Sequence, residues 1–270
     1  GGNAFSKILF QIINDPNINT RKLRTGELHA TGMSPSLYRT EVLEAEEDSP
    51  FKDGTFGSNE YWSHTYYYIG WNNDSPLFND KRARQAMSYA FNADMLLKDV
   101  MMGLGQRCTG PIPAFLPFYN KELTPYPYDI EKAKSLLAEL GWEDTDKDGV
   151  LDKIIEGEKV DFEFDLTIYG SSKEYKTIGD IFKEDLAKIG VKMNVQPTEW
   201  SLLLKKTNSK EFDAVTLAWV SGPDVDFRQI WHSEQADVPQ SSNYISFKNE
   251  KADEIIEALE VEFDDKKRIE

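Results

Sequence analysis

The sequence predicts an α/β fold with a mostly parallel sheet, and three observations carry that expectation. Residues 160–170 ("VDFEFDLTIYG") alternate strictly through Val160, Phe162, Phe164, Leu166 and Ile168, the period of a strand with one buried face. Residues 171–190 then place Ile178, Phe182, Leu186 and Ile189 on one helical face and stop at Gly190. "VKMNVQP" (191–197) alternates again, "EWSLLLKKTN" reads as a short helix, and "FDAVTLAWV" (212–220) as a third strand. Strand, helix, strand, helix, strand at this spacing is the right-handed crossover pattern of parallel strands.

From the amino end, "KILFQIIND" (7–15) reads as a buried strand, and "RKLRTGELHATGM" (22–34) as a short helix, a turn and a strand. The acidic stretch 44–60 is the best candidate boundary, with "EAEEDSP" (44–50) a solvated loop. "YYYIGWNN" (66–73) is an aromatic, β-rich run. Residues 80–103 carry one helical stripe through Ala83, Ala86, Met87, Ala90, Phe91, Leu97 and Met101, with Gly103 as its stop; this methionine-rich face suits a core. The Pro- and aromatic-rich segment 110–129 predicts irregular packing, after which Asp129 caps a helix ending at Gly141.

Bulk properties narrow the function. The 270 residues are 40% hydrophobic and 12% aromatic, enough for a sizeable core in one or two domains. A net charge of −16 argues against nucleic acid or anionic lipid as partner, and no apolar run reaches the ~20 residues of a membrane helix. The single cysteine, Cys108, rules out an internal disulfide without fixing the compartment. The start, "GGNAFSKILFQ", has no secretion-signal pattern, and "EVEFDDKKRIE" stops within a helical pattern, so the chain reads as an excerpt of a longer protein.

Ligands of open α/β sheets bind beyond the carboxyl ends of the strands, which selects "YGSS" (169–172), "PTEW" (197–200) and "AWVSGPDVD" (218–226). Gly170, Ser171 and Ser172 lead into a helix whose free amides favour an anion. Trp200 and Trp219 offer broad apolar faces, and Gly222 and Pro223 bring backbone to a ligand; both tryptophans fit core positions equally well. Catalysis is not expected. His29, His64 and His232 are scattered, Cys108 has no neighbouring base, no nucleophile elbow or phosphate loop is present, and the Asp224/Asp226 pair suits a turn or salt bridge.

"DTDKDGVLDK" (144–153) resembles a calcium loop. Asp144, Asp146 and Asp148, the carbonyl of Val150 and the carboxylate of Asp152 fall at ligand positions, with Gly149 at the turn. Ile155 stands where the bidentate glutamate belongs, and Glu156 comes one residue late. The competing reading is an Asp/Gly turn that needs no metal.

The stretch "YYYIGWNNDSPLFNDKRARQAMSYAFNADMLLKDVMMGLG" resembles the signature of family 5 extracellular solute-binding proteins, the oligopeptide, dipeptide and nickel receptors of ABC importers. Tyr68 and Asn72 stand in its "Y-x-x-x-N" strand; Pro76, Phe78, Asp80, Arg82, Arg84, Gln85 and Ala86 follow; Gly103, Gly105 and Gly110 to Pro113 complete it, while "AFNAD" departs from the family's "AIDR" run. "PYPYDIEKAKSLLAELGW" and "FDAVTLAWVSGPDVDFRQIWHSEQ" resemble later elements, and "GELHATGMSPSLY" an earlier one in which His29 replaces an Asp.

The resemblance implies a periplasmic-binding-protein-like (class II) fold, with residues 1–60 the end of a first-lobe segment and 61–270 most of the second lobe, truncated before the return to the first. It implies a subunit that captures peptides outside the membrane by hinge closure and hands them to a permease, without a required cofactor; calcium is the one candidate ion. Membrane association would run only through a lipid anchor absent from this chain, and the chain alone would bind weakly. Ligand contacts would come from Trp219, Val220, Ser221 and Gly222, with Trp200 in the cleft wall and Met33 and Ser34 in the first-lobe loop. Asp224 stands closer to the tryptophan than the acidic residue that pairs with a peptide amine in relatives, which leaves its role open. The same fold binding a nickel or metal chelate or a short sugar, and a calcium-stabilised structural module, are the alternatives.

Overall fold

The computed structural model describes residues 5–13, 15–116, 118–220 and 226–269, and the chain divides into two compact units. The first comprises residues 1–61 with 97–105. Its helix α1 (Pro16–Arg24) begins where Asp15 accepts the Asn17 N–H and Pro16 supplies the fixed φ of a first turn. Ser34 caps α2 (Pro35–Tyr38), which continues into a wider π turn over Arg39–Leu43. The strands expected at 7–15 and before residue 34 are not formed among the described residues of this unit. Phe10 is 88% and Ile12 95% exposed. An apolar run becomes a strand only when a neighbour completes its hydrogen-bond ladder, and these described residues have none.

The second unit comprises residues 62–96 and 106–270. It runs β1 (Thr65–Trp71), α3 (Lys81–Ala90), α4 (Ala93–Asp99, shared with the first unit), α5 (Ile130–Glu139), β2 (Asp152–Ile155), β3 (Glu158–Asp161), β4 (Glu163–Tyr169), α6 (Lys173–Ala187), β5 (Lys192–Thr198), α7 (Trp200–Ser209), β6 (Ala214–Val220), α8 (Arg228–Trp231), α9 (Glu250–Val261) and α10 (Asp265–Ile269). The sheet order is β1–β6–β4–β5, with β5 and β6 parallel to β4 and β1 antiparallel to β6 at the edge.

Two expected elements are divided. The single helix over 80–103 breaks at Phe91, whose extended backbone ends α3, and Asn92 restarts the chain by accepting the Met95 N–H at 3.2 Å. The strand over 160–170 is two strands. β3 belongs to a hairpin with β2, turned by Glu156 and Gly157 at φ 53° and 90°, and the chain then passes through buried Phe162 into the main sheet. Alternation carries on across that junction, so the pattern alone does not reveal it.

Each face of the sheet buries its own core, because successive strand residues point to opposite sides. On one face Phe164, Leu166 and Ile168 of β4 meet Phe182 and Leu186 of α6. Phe78 is completely buried there, its ring 4.8 Å from Trp71 and 5.0 Å from Phe164. On the other face Leu203 of α7 packs with Phe212, Val215 and Leu217, and Tyr68, Tyr169 and Tyr244 border them. Gly190 ends α6 at φ 74°, where a Cβ would stand 2.9 Å from Leu151; a larger residue would be strained by both backbone and neighbour.

Candidate ligand site

The carboxyl ends of β4, β5 and β6 lie side by side, and the sequence puts an aromatic residue at or just beyond each: Tyr169, Trp200 and Trp219. The Gly170 N–H donates to the Thr198 carbonyl at 2.9 Å, binding the ends of β4 and β5 together. A Cβ on Gly170 would come within 3.3 Å of the Thr198 nitrogen, so this close approach requires glycine.

Trp219 is half-buried and stacks on Tyr244 with ring centroids 5.8 Å apart and planes 8° from parallel. Opposite it on β1 stands Tyr66, and one pleat further Tyr68 faces Leu217. Burial pushes the Tyr68 phenol well up, the neighbouring Tyr66 adds to this, and the Trp219 indole N–H acting as donor opposes it. Tyr66 is 7% exposed, and its hydroxyl has no hydrogen-bond partner among the described residues. Trp200 is exposed and meets Tyr169 edge-on at 5.7 Å. The arrangement is an aromatic wall, half-buried and half-open, with hydroxyl and indole groups along it. Such a surface holds apolar and planar groups of varied shape and offers a few fixed hydrogen bonds.

The helix ends beside this wall carry side-chain caps. Ser172 Oγ accepts the Tyr175 N–H at 3.1 Å, and Glu199 accepts the Ser201 N–H at 2.8 Å. The bonds from Ser201 hold the Glu199 carboxyl below its usual range, so α7 presents a filled amino end.

The remaining expected contacts fall as follows. Val220 is 75% exposed at the end of β6, whereas Ser221, Gly222 and Asp224 lie outside the described residues. Asp226 accepts the Arg228 N–H at 3.0 Å and so serves α8. Met33 and Ser34 belong to the first unit; Ser34 Oγ accepts the Leu37 N–H at 3.4 Å and lies 3.1 Å from Ser36 Oγ. Tyr66 and Tyr244 are additions that sequence reasoning missed, whereas Tyr169 falls within the stretch 169–172 selected from the sequence. The aromatic run 66–68 signalled the first, and nothing periodic marks Tyr244. A polar cleft of about 430 Å³ opens at the opposite end of the sheet, between Asn72, Asp165, Thr167, Lys206 and Lys210, away from the aromatic wall.

In the aspartate loop, Asp144, Asp146 and Asp152 bring carboxylate oxygens within 4.8 Å of one another. Asp148 is outside that group, its Oδ1 accepting the Val150 N–H at 2.8 Å.

The model of the bacterial extracellular solute-binding proteins, family 5 Middle, matches residues 1–237. The oligopeptide-binding protein AppA of Bacillus subtilis is 32% identical over 253 residues, covering 92% of this chain and 44% of AppA. The dipeptide-binding protein of Escherichia coli is 28% identical over 210 residues, covering 75% and 36%. The solved structure of AppA, in complex with a nonapeptide, superimposes with a TM-score of 0.80 at 30% identity over 96% of this chain and 49% of that one. NikZ from Campylobacter jejuni, in complex with Ni(L-His), shares the fold with a TM-score of 0.76 at 22% identity over 95% and 49%. This chain therefore spans about half the length of the relatives it matches. With its parallel sheet, its aromatic wall and a match running through 237 residues, the chain belongs to the bacterial extracellular solute-binding proteins of family 5.

Proposed function

We propose that the chain forms part of the substrate-binding subunit of an ABC importer whose cargo is peptides. The Trp219–Tyr244 stack at the carboxyl end of β6 is the observation that carries this reading. A peptide presents side chains of every shape, and broad aromatic faces accept that variety while polar groups and loop backbone hold the main chain. The likeness to AppA supports peptides over other cargo.

In this reading residues 1–60 complete a first lobe and 61–270 supply most of a second. The lobes close on the ligand as a hinge, and the closed form is read by a permease at the outer side of the membrane. Binding and release are the whole activity, with no bond made or broken. Val220 contacts the ligand beside Trp219, and Ser221, Gly222 and Asp224 are the candidate contacts that follow it in sequence.

Native mass spectrometry of the full-length receptor, purified without denaturation and then stripped of ligand, tests this. A ladder of short peptides is the expected result. A single non-peptide mass, a sugar or a metal complex would overturn the peptide assignment.

A further inference from the structure

The aspartate loop of residues 144–152 has a cation of its own. The ammonium of Lys159, projecting from hairpin strand β3, pairs with Asp146 and stands 3.6 Å from Asp152 and 3.7 Å from Asp161. Asp144 and Asp146, two of the three clustered carboxylates, are exposed, and Asp152 is buried. Each also has local duties. Asp144 accepts the N–H groups of Asp148 and Gly149, both at 3.1 Å. Asp152 accepts the Thr145 N–H at 2.9 Å and its hydroxyl at 2.8 Å, while its own backbone pairs with Glu143 to close the neck of the loop.

The metal geometry fits poorly. Calcium asks for six to eight oxygens, including a bidentate carboxylate, and Asp148 turns its oxygen to Val150 while Ile155 occupies the bidentate position. A lysine needs less, since one ammonium with three donors satisfies a cluster that no longer encloses an ion.

We infer that Lys159 is a built-in cation that takes the place of a metal in this loop, so that the loop folds and holds β2 against β3 without calcium. The ion-pair geometry supports it, because one ammonium reaches both Asp146 and the buried Asp152. The hairpin geometry supports it too, since Lys153↔Val160 and Ile154↔Lys159 are in register, which places Lys159 back over the loop that precedes β2.

The test compares thermal unfolding of the wild type, Lys159→Met and Lys159→Arg in chelator and in millimolar calcium, with calorimetric titration of calcium into each. The Lys159 side chain is 40% exposed, so both variants keep the fold. The wild type and Lys159→Arg are expected to melt at the same temperature in both conditions. Lys159→Met should melt below both in chelator and in calcium alike, because the carboxylates that remain lack the bidentate ligand calcium needs. A wild type stabilised by calcium overturns the inference, and so does a Lys159→Met protein that melts with the wild type.

Discussion

Trp219 and Tyr244, 25 positions apart in the chain, lie face to face with 8° between their planes. The pair makes one broad apolar plate out of two side chains, and the orientation of each ring depends on the other. In the full-length receptor, Trp219→Ala is expected to weaken peptide binding by about tenfold to a hundredfold, the range of a central aromatic anchor. Tyr244→Phe keeps the plate and should bind within about twofold of the wild type. Fluorescence titration with a peptide recovered from the receptor checks both, and unchanged affinity in Trp219→Ala would remove the plate from the site.

Phe78 is one of the largest fully buried side chains of the core. It is fully buried between Trp71, Phe162 and Phe164, with ring separations of 4.8, 5.9 and 5.0 Å. Phe78→Ala leaves a cavity among rings that cannot collapse into it, and a loss of about 3–5 kcal/mol is expected in denaturant unfolding.

Asn72 ties the end of β1 to the loop before β6. Its amide donates to the carbonyls of Phe212 at 2.9 Å and Lys210 at 3.2 Å, and its Oδ1 accepts the Asp74 N–H at 3.1 Å. Asn72→Ala strands buried carbonyls without donors and should cost about 2–3 kcal/mol. Asn72→Asp should cost at least as much, because a carboxylate cannot donate to those carbonyls. Chemical unfolding of the two variants side by side distinguishes lost hydrogen bonding from lost volume.

Asp80 reports on pH. Its carboxyl accepts from the Arg82 guanidinium and backbone N–H, which hold it at about 2 instead of 3.8. A depressed folded-state value means that the stabilisation is full above about pH 4 and is lost as pH falls through about 2. Asp80→Asn keeps the helix cap and removes the titration. The melting-temperature gap between wild type and variant should therefore narrow from pH 4 to pH 2. The carboxylate is 36% exposed, so solvent screening limits the gap to less than about 1 kcal/mol. A gap that stays constant with pH would show the pair to be inert.

Sequence reading recovered the parallel core because Phe164, Leu166 and Ile168 repeat with period two, and the α6 stripe because Phe182 and Leu186 repeat with that of a helix. It failed at residues 7–13 for a physical reason. Ile8, Phe10 and Ile12 carry strand composition, but strand formation depends on a partner that local pattern does not encode. Trp200 and Trp219 were legible as candidates from strand ends and residue type. Tyr244 and Lys159 were not, because each acts through a contact set by tertiary geometry in segments with no periodic signature.

The order of the strands also sets an order in time. β6 is the fourth and last strand of the main sheet in chain order, yet it sits in the interior, between β1 and β4. During synthesis β1 must therefore emerge and wait, without a strand partner in this sheet, until the ribosome has delivered everything up to Val220. Only then can Thr65 find Val220 and Trp71 find Ala214. Contacts so distant along the chain fold late and slowly. Any truncation before Ala214 would leave β1 as an aromatic ribbon without its neighbour, open to pairing with whatever strand comes by.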